Sequence, residues 1–170
     1  MKTLLVYYSL DGNTEWTAQK IAEEVDTDML QLVPKKRMPH FGPLKFLIGG
    51  KQVLFKNKPK LQDYETDVES YDLLILATPI WASCFVPSVR TFLKKYDLSE
   101  KNIAVVTCSM SGNARKCIKK LRKAAGNPKL VAVLNLVDPK KKKNIENEER
   151  ILDFCGKIKN LQMQNSRDEN

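Results

Sequence analysis

Residues 3–14 read TLLVYYSLDGNT, and this stretch decides the fold. Thr3 to Tyr8 is a short apolar run without polar alternation, the pattern of a strand covered on both faces. The loop Ser9-Leu10-Asp11-Gly12-Asn13-Thr14 follows at once. Beyond it, Ala18, Ile21, Ala22 and Val25 recur at helical spacing, so the loop opens directly into a helix. Two hydroxyls, a glycine and the free amides of a helix start form a combination suited to a phosphate. No Lys or Arg lies between Lys2 and Lys20, so amides and hydroxyls alone would hold that phosphate. The missing Gly-Lys-Ser/Thr excludes a P-loop, and no G-x-G-x-x-G is present. The same residues also fit an ordinary turn, with Asp11 or Asn13 capping the helix.

Outward from this stretch, strand-like and helix-like segments alternate. Met29–Val33, Asp72–Ala77, Ile103–Thr107 and Leu130–Val137 read as further strands. Between them, Val89, Phe92, Leu93 and Tyr96 mark one helix face, and Ala114, Cys117, Ile118, Leu121 and Ala125 mark another, ended by Gly126 and Pro128. Ile151, Phe154, Cys155 and Ile158 mark a last helix. Strands apolar on both faces need helices on both sides, and right-handed crossovers then give a three-layer, doubly wound α/β domain. The expected organisation is one domain over residues 1–162 and a polar, disordered tail over 163–170. The Pro-, Gly- and Lys-rich stretch Pro34–Gln62 breaks the rhythm. At most a short helix fits around Leu44 to Phe55, and the stretch reads either as an irregular crossover or as one wall of a site.

Ligands on such a sheet sit at the carboxyl ends of the strands, where strand order reverses. Two more loops leave those ends. Thr78-Pro79-Ile80-Trp81-Ala82-Ser83-Cys84-Phe85 carries two aromatics where solvent is expected. Trp81 would stack on a planar ring system, or else pack against the Pro34–Gln62 stretch. Ser109-Met110-Ser111-Gly112-Asn113 is small and polar, suited to backbone hydrogen bonds to a ring edge. Trp16 falls opposite the apolar face of its helix and reads as a surface residue.

Composition narrows the classes. The 170 residues are 42% hydrophobic and 29% charged, ordinary for a globular domain. No run approaches the ~20 apolar residues of a membrane span, and Leu4 to Tyr8 is shorter than the ~7–15 residues of a signal-peptide core. A cytoplasmic location and, from Met1, a complete chain are expected. Four scattered cysteines (Cys84, Cys108, Cys117 and Cys155) and the single His40 give no metal-ligand spacing, so no metal is assigned. The net charge is +9, with one basic run at Lys140 to Lys143 and a basic helix from Arg115 to Lys123. Such a balance raises nucleic-acid binding as a rival, although no aromatic-basic RNA motif is present.

VYYSLDGNTEWTAQKIA is similar to the phosphate-loop signature of the flavodoxin family: an aromatic-ended strand, a hydroxyl residue, two variable residues, Gly or Ala, one residue, then Thr. Thr78-Pro79-Ile80-Trp81, with Pro87 and Phe92-Leu93 after it, resembles the family's second flavin loop. The resemblance covers nearly the whole chain in element order. It implies a flavodoxin-like, five-stranded parallel sheet in the order 2-1-3-4-5. It also implies FMN as a non-covalent cofactor. No insertion interrupts Leu130–Val137, so the short-chain type is implied. Carried over by position, Ser9, Leu10, Asp11, Gly12, Asn13 and Thr14 would hold the FMN phosphate. Leu10 would contribute mainly its backbone amide. Thr78, Pro79, Ile80 and Trp81 would flank the ribityl chain and the isoalloxazine. Ser109, Met110, Ser111, Gly112 and Asn113 would border the pyrimidine edge. The chain departs from the family in being strongly basic, and in carrying Ala82 and Ser83 where relatives often keep another bulky residue.

The resemblance implies electron transfer or oxidoreduction through the flavin, with no catalytic acid, base or nucleophile nominated. One form is a carrier that docks on a redox protein. The other is an NAD(P)H-dependent reductase of quinones or flavins, with a small-molecule acceptor. A basic rim suits NADPH or an acidic protein partner. A non-enzymatic basic binding module is the alternative from another class. A receiver domain is rejected, because Ser9-Leu10 and Ala77-Thr78 stand where it needs acidic residues.

Overall fold

The computed structural model describes residues 1–36, 57–110, 112–141 and 145–168 of the chain. Five parallel strands form the sheet: β1 (Thr3–Tyr7), β2 (Asp28–Gln31), β3 (Leu73–Trp81), β5 (Asn102–Ser109) and β6 (Lys129–Val137). The two-residue strand β4 (Cys84–Phe85) folds back antiparallel on the end of β3. The order is β2-β1-β3-β5-β6, which is 2-1-3-4-5 once the hairpin strand is set aside. Leu5 pairs with Met29 on one side and Ile75 on the other, and the row continues through Ala104 to Ala132.

The uninterrupted apolar runs arise because both faces are covered. Side chains alternate across a strand. Leu4, Val6, Leu74, Leu76, Ile103 and Val105 point into one buried cluster, which α2 (Pro87–Lys95) and α3 (Arg115–Ala124) close with Val89, Phe92, Cys117 and Leu121. Leu5, Leu73, Ile75, Ala104, Val106 and Leu134 point the other way. There α1 (Asn13–Glu24) and α4 (Ile145–Asp168) cover them with Ala18, Ile21, Phe154 and Ile158. Each helix thus buries one stripe, the source of the spacing seen in the sequence.

Several elements differ from the sequence reading. The third strand does not stop at Ala77 but runs on to Trp81, and the segment read as a loop becomes a hairpin. Ala82 and Ser83 make its two-residue turn, with φ of 46° and 56°. Such a type I′ turn usually takes Asn-Gly, which is why the sequence hides it. Trp16 is half-buried against the second cluster rather than a surface residue. Neither Asp11 nor Asn13 caps α1: Gly12 occupies the cap position, at φ 84°, without any side-chain cap. Helix α4 extends to Asp168, beyond Gln162, through a segment with neither Gly nor Pro to stop it. The ends of the Pro34–Gln62 stretch pair with each other, Pro34 bridging Leu61 and the Gln62 amide donating to the Val33 carbonyl at 2.7 Å. Residues 37–56 between them, including His40 and the short helix expected near Leu44 to Phe55, lie outside the described residues.

Candidate functional site

The carboxyl ends of β1, β3 and β5 converge beside the point where strand order reverses, and an open cleft lies there.

The first wall is the loop after β1. Ser9 Oγ accepts a hydrogen bond from the Gly12 amide at 3.1 Å and closes the turn. With no side chain at the cap, the first-turn amides of α1 are left without the partner such helices usually have. Thr14, in that first turn, is 1% exposed and lines the cleft, and its hydroxyl meets no oxygen or nitrogen partner, only the Cys108 thiol interacting with it weakly. A buried hydroxyl without a strong partner costs stability, so its retention points to a ligand that accepts from it. Thr17, one turn later, is satisfied: its hydroxyl donates to the Asn13 carbonyl at 3.0 Å and lies 3.5 Å from Cys108 Sγ.

The second wall is the hairpin. Thr78 is fully buried and works structurally. Its hydroxyl donates to the Pro79 carbonyl at 2.9 Å and accepts from the Val86 amide at 3.3 Å, fixing the hairpin to the strand. Pro79, Ile80 and Trp81 face the cleft. Trp81 stands edge-on to Tyr8, which is buried beneath it. Burial, with the Asp11 carboxylate adding to it, pushes the Tyr8 phenol up to about 12, so the ring is neutral at physiological pH.

The third wall repeats the first in miniature. Ser109 Oγ accepts from the Gly112 amide at 2.9 Å, with Gly112 at φ 73°. Asn135 steadies this loop by donating to the Gly112 carbonyl, and Thr107 holds Asn135 in turn at 3.0 Å. Met110 stands 73% exposed at the rim.

Of the residues expected at the site, Ser9, Leu10, Asp11, Asn13, Thr14, Pro79, Ile80, Trp81, Ser109 and Met110 line one cleft. Gly12 shapes the turn, whereas Thr78, Gly112 and Asn113 do not line the cleft. Ser111 lies outside the described residues. Two further residues line the cleft: Cys108, whose place near the end of a site strand lets it approach the ligand, and Asp138, which the sequence does not indicate. Cys108 is the next inward residue of a strand whose end was already implicated, a signal present in the alternation. Its thiol is pushed up to about 11 by burial, against a smaller opposite pull from the Thr17 and Thr14 hydroxyls, so it is not a thiolate nucleophile near neutrality. Asp138 gives no local signal. It sits in the loop after β6 at φ 45°, its amide donates to the Ser109 carbonyl at 3.1 Å, and its carboxylate accepts from Asn13 Nδ2 at 3.4 Å. The Asn13 carboxamide also accepts from the Lys140 amide at 3.0 Å. Asn13 therefore joins the first loop to the last one. Among the described residues, no group of three or more His, Cys, Asp or Glu could hold a metal ion.

A 2-1-3-4-5 parallel sheet, with an uncapped helix start and an aromatic hairpin at its switch point, defines the flavodoxin-like class of doubly wound α/β proteins. The chain belongs to the flavodoxin family, whose model matches residues 52–148. Among solved structures it is similar to a flavoprotein from Lactobacillus acidophilus NCFM, crystallised in complex with FMN. That match has 23% identity and a TM-score of 0.70, covering 84% of this chain and 96% of that one. A flavodoxin from Streptococcus pneumoniae TIGR4 matches at 15% identity and a TM-score of 0.57, covering 93% and 97%. A flavodoxin, WrbA-like protein from Agrobacterium tumefaciens matches at 13% identity and a TM-score of 0.59, covering 96% and 98%. No curated protein matches the chain.

Proposed function

We propose that this protein binds FMN non-covalently in the cleft and serves as an electron carrier. The observation that carries the reading is the Thr14 hydroxyl, buried without an oxygen or nitrogen partner in the uncapped first turn of α1. A phosphate ester is the ligand that such a place suits. Ser9 to Thr14 would hold that ester, Trp81 would cover the flat ring system, and the Ser109–Gly112 turn would meet its polar edge. When bound, FMN supplies reversible electron transfer. The protein's own part is to orient and enclose. Trp81 and Ile80 exclude water on one side, while the neutral Tyr8 and Cys108 present no charge to the ring.

The carrier reading is preferred to a reductase because α3 offers a docking face beside the site. Arg115, Lys116, Lys119, Lys120, Arg122 and Lys123 lie on it without one acidic residue between them. None pairs with a carboxylate among the described residues. Lys120 donates to the Ser83 carbonyl at 3.3 Å, tying this face to the Trp81 hairpin. An acidic redox protein is the partner such a face favours. Buried, unpaired thiols suit a reducing compartment, and we place the protein in the cytoplasm. No helix among the described residues is long and apolar enough to cross a membrane.

The test is a titration of FMN into purified, flavin-free protein. Quenching of flavin fluorescence at one site per chain supports the reading, and unquenched flavin in excess protein overturns it. Steady NAD(P)H oxidation by the loaded protein with a quinone would replace the carrier by a reductase.

A further inference from the structure

The sequence around the first loop predicts a phosphate seat without a cation, and the fold changes that. The chain returns to this place 125 residues later, through the turn Asp138-Pro139-Lys140-Lys141. The turn is fixed at both ends. The Lys141 amide donates to the Asp138 carbonyl at 3.0 Å, Pro139 is buried, and the Lys140 amide donates to Asn13 Oδ1 at 3.0 Å. From there the Lys140 side chain lies across Gly12. A β-carbon on Gly12 would stand 2.8 Å from Lys140 Nζ and 3.4 Å from its Cδ.

This places an ammonium at the amino end of α1, whose aligned peptide dipoles already make that end positive. Two positive ends so close repel unless an anion lies with them. Among the described residues, no carboxylate comes within ion-pair distance of Lys140. Asp138, the nearest acidic residue along the chain, is turned to Asn13. The adjacent Thr14 hydroxyl is buried and meets no oxygen or nitrogen acceptor, a second and independent sign that an anion belongs here.

We propose that Lys140 closes over the phosphate of the bound flavin and, with the α1 amides and Thr14, makes the site select the phosphorylated cofactor over riboflavin. This rests on the FMN reading above and adds a charged contact that the local sequence of the loop does not contain. Hydrogen bonds between charged groups are the strong ones, and this one reads the ester alone, since riboflavin carries no group to meet it.

The experiment measures FMN and riboflavin affinities by fluorescence quenching for the wild type, Lys140→Gln, Lys140→Arg and Lys141→Gln. Lys141→Gln removes the same charge one residue away, and circular dichroism of each flavin-free variant checks the fold. The expected result is an FMN affinity roughly tenfold weaker in Lys140→Gln, with riboflavin binding unchanged. The deficit should be largest at low salt, largely restored in Lys140→Arg, and absent in Lys141→Gln. If Lys140→Gln binds FMN as the wild type does, or loses both flavins alike, the role of Lys140 is overturned while the FMN reading stands. A wild type that binds neither flavin overturns that reading, and this proposal with it.

Discussion

Trp81 meets Tyr8 edge to face, ring centroids 5.8 Å apart and planes at 89°. The indole is half-exposed at the hairpin end, while the phenol is buried just past the end of β1, so the contact props the indole beside the cleft. Removing the ring should therefore affect the ligand more than the fold. Trp81→Ala is expected to weaken FMN and riboflavin binding alike, by roughly threefold to tenfold, while Trp81→Phe keeps most of the affinity. The protein has two tryptophans, so Trp16→Phe isolates the Trp81 emission, which added FMN should quench.

Thr14→Val separates ligand binding from stability in opposite directions. Its hydroxyl is buried with no partner but the weakly interacting Cys108 thiol, so a methyl of the same size should raise the stability of the flavin-free protein by about 1 kcal/mol. The same change should lower FMN affinity and leave riboflavin affinity nearly untouched. Chemical denaturation of the flavin-free variant and a two-flavin titration check both halves.

Alkaline pH should weaken the fold. Burial pushes Cys108 and Cys155 up to about 11 and Cys117 up to about 12. In the unfolded chain such thiols ionise near pH ~8.5. Above that pH the unfolded state releases protons that the folded state still holds, so stability is full below about pH 8 and falls as pH rises. By pH 10 the loss should reach about 1–2 kcal/mol per thiol. Urea midpoints at pH 8 and pH 10 measure it. The same burial predicts no alkylation of these three cysteines in the native protein at pH 8, and rapid labelling once it is unfolded.

The hairpin turn carries strain that substitution can relieve. Ala82 and Ser83 both hold positive φ, where a side chain is disfavoured. Replacing the pair with Asn-Gly should raise Tm by about 3 °C, read by thermal denaturation. The Lys120 bond survives, because it reaches the Ser83 carbonyl rather than the side chain.

The parts of this molecule that the sequence discloses are those governed by neighbours along the chain. Apolar runs such as DLLILA and IAVVT declared buried strands because burial on two faces leaves no place for alternation. Ser9 to Thr14 was legible because the hydroxyl, the glycine and the helix start are adjacent. The hairpin was not, because Ala82-Ser83 lacks the residues that announce its turn. Trp16 misled for a different reason: one helix's periodicity cannot reveal the packing of Leu161 and Val131 on the same cluster. Asp138 and Lys140 were out of reach altogether, since nothing local places residues from the last loop beside the first.

That last junction has a consequence for biosynthesis. Among the described residues, the Asn13 side chain bonds to Asp138 and Lys140, which the ribosome adds when more than three-quarters of the polypeptide exists. Nascent chains ending before this turn emerges hold the first loop and the tryptophan hairpin but lack the clasp between the outer segments. Cofactor capture is therefore a late event, and translation intermediates stalled short of residue 140 should pass through the cell empty.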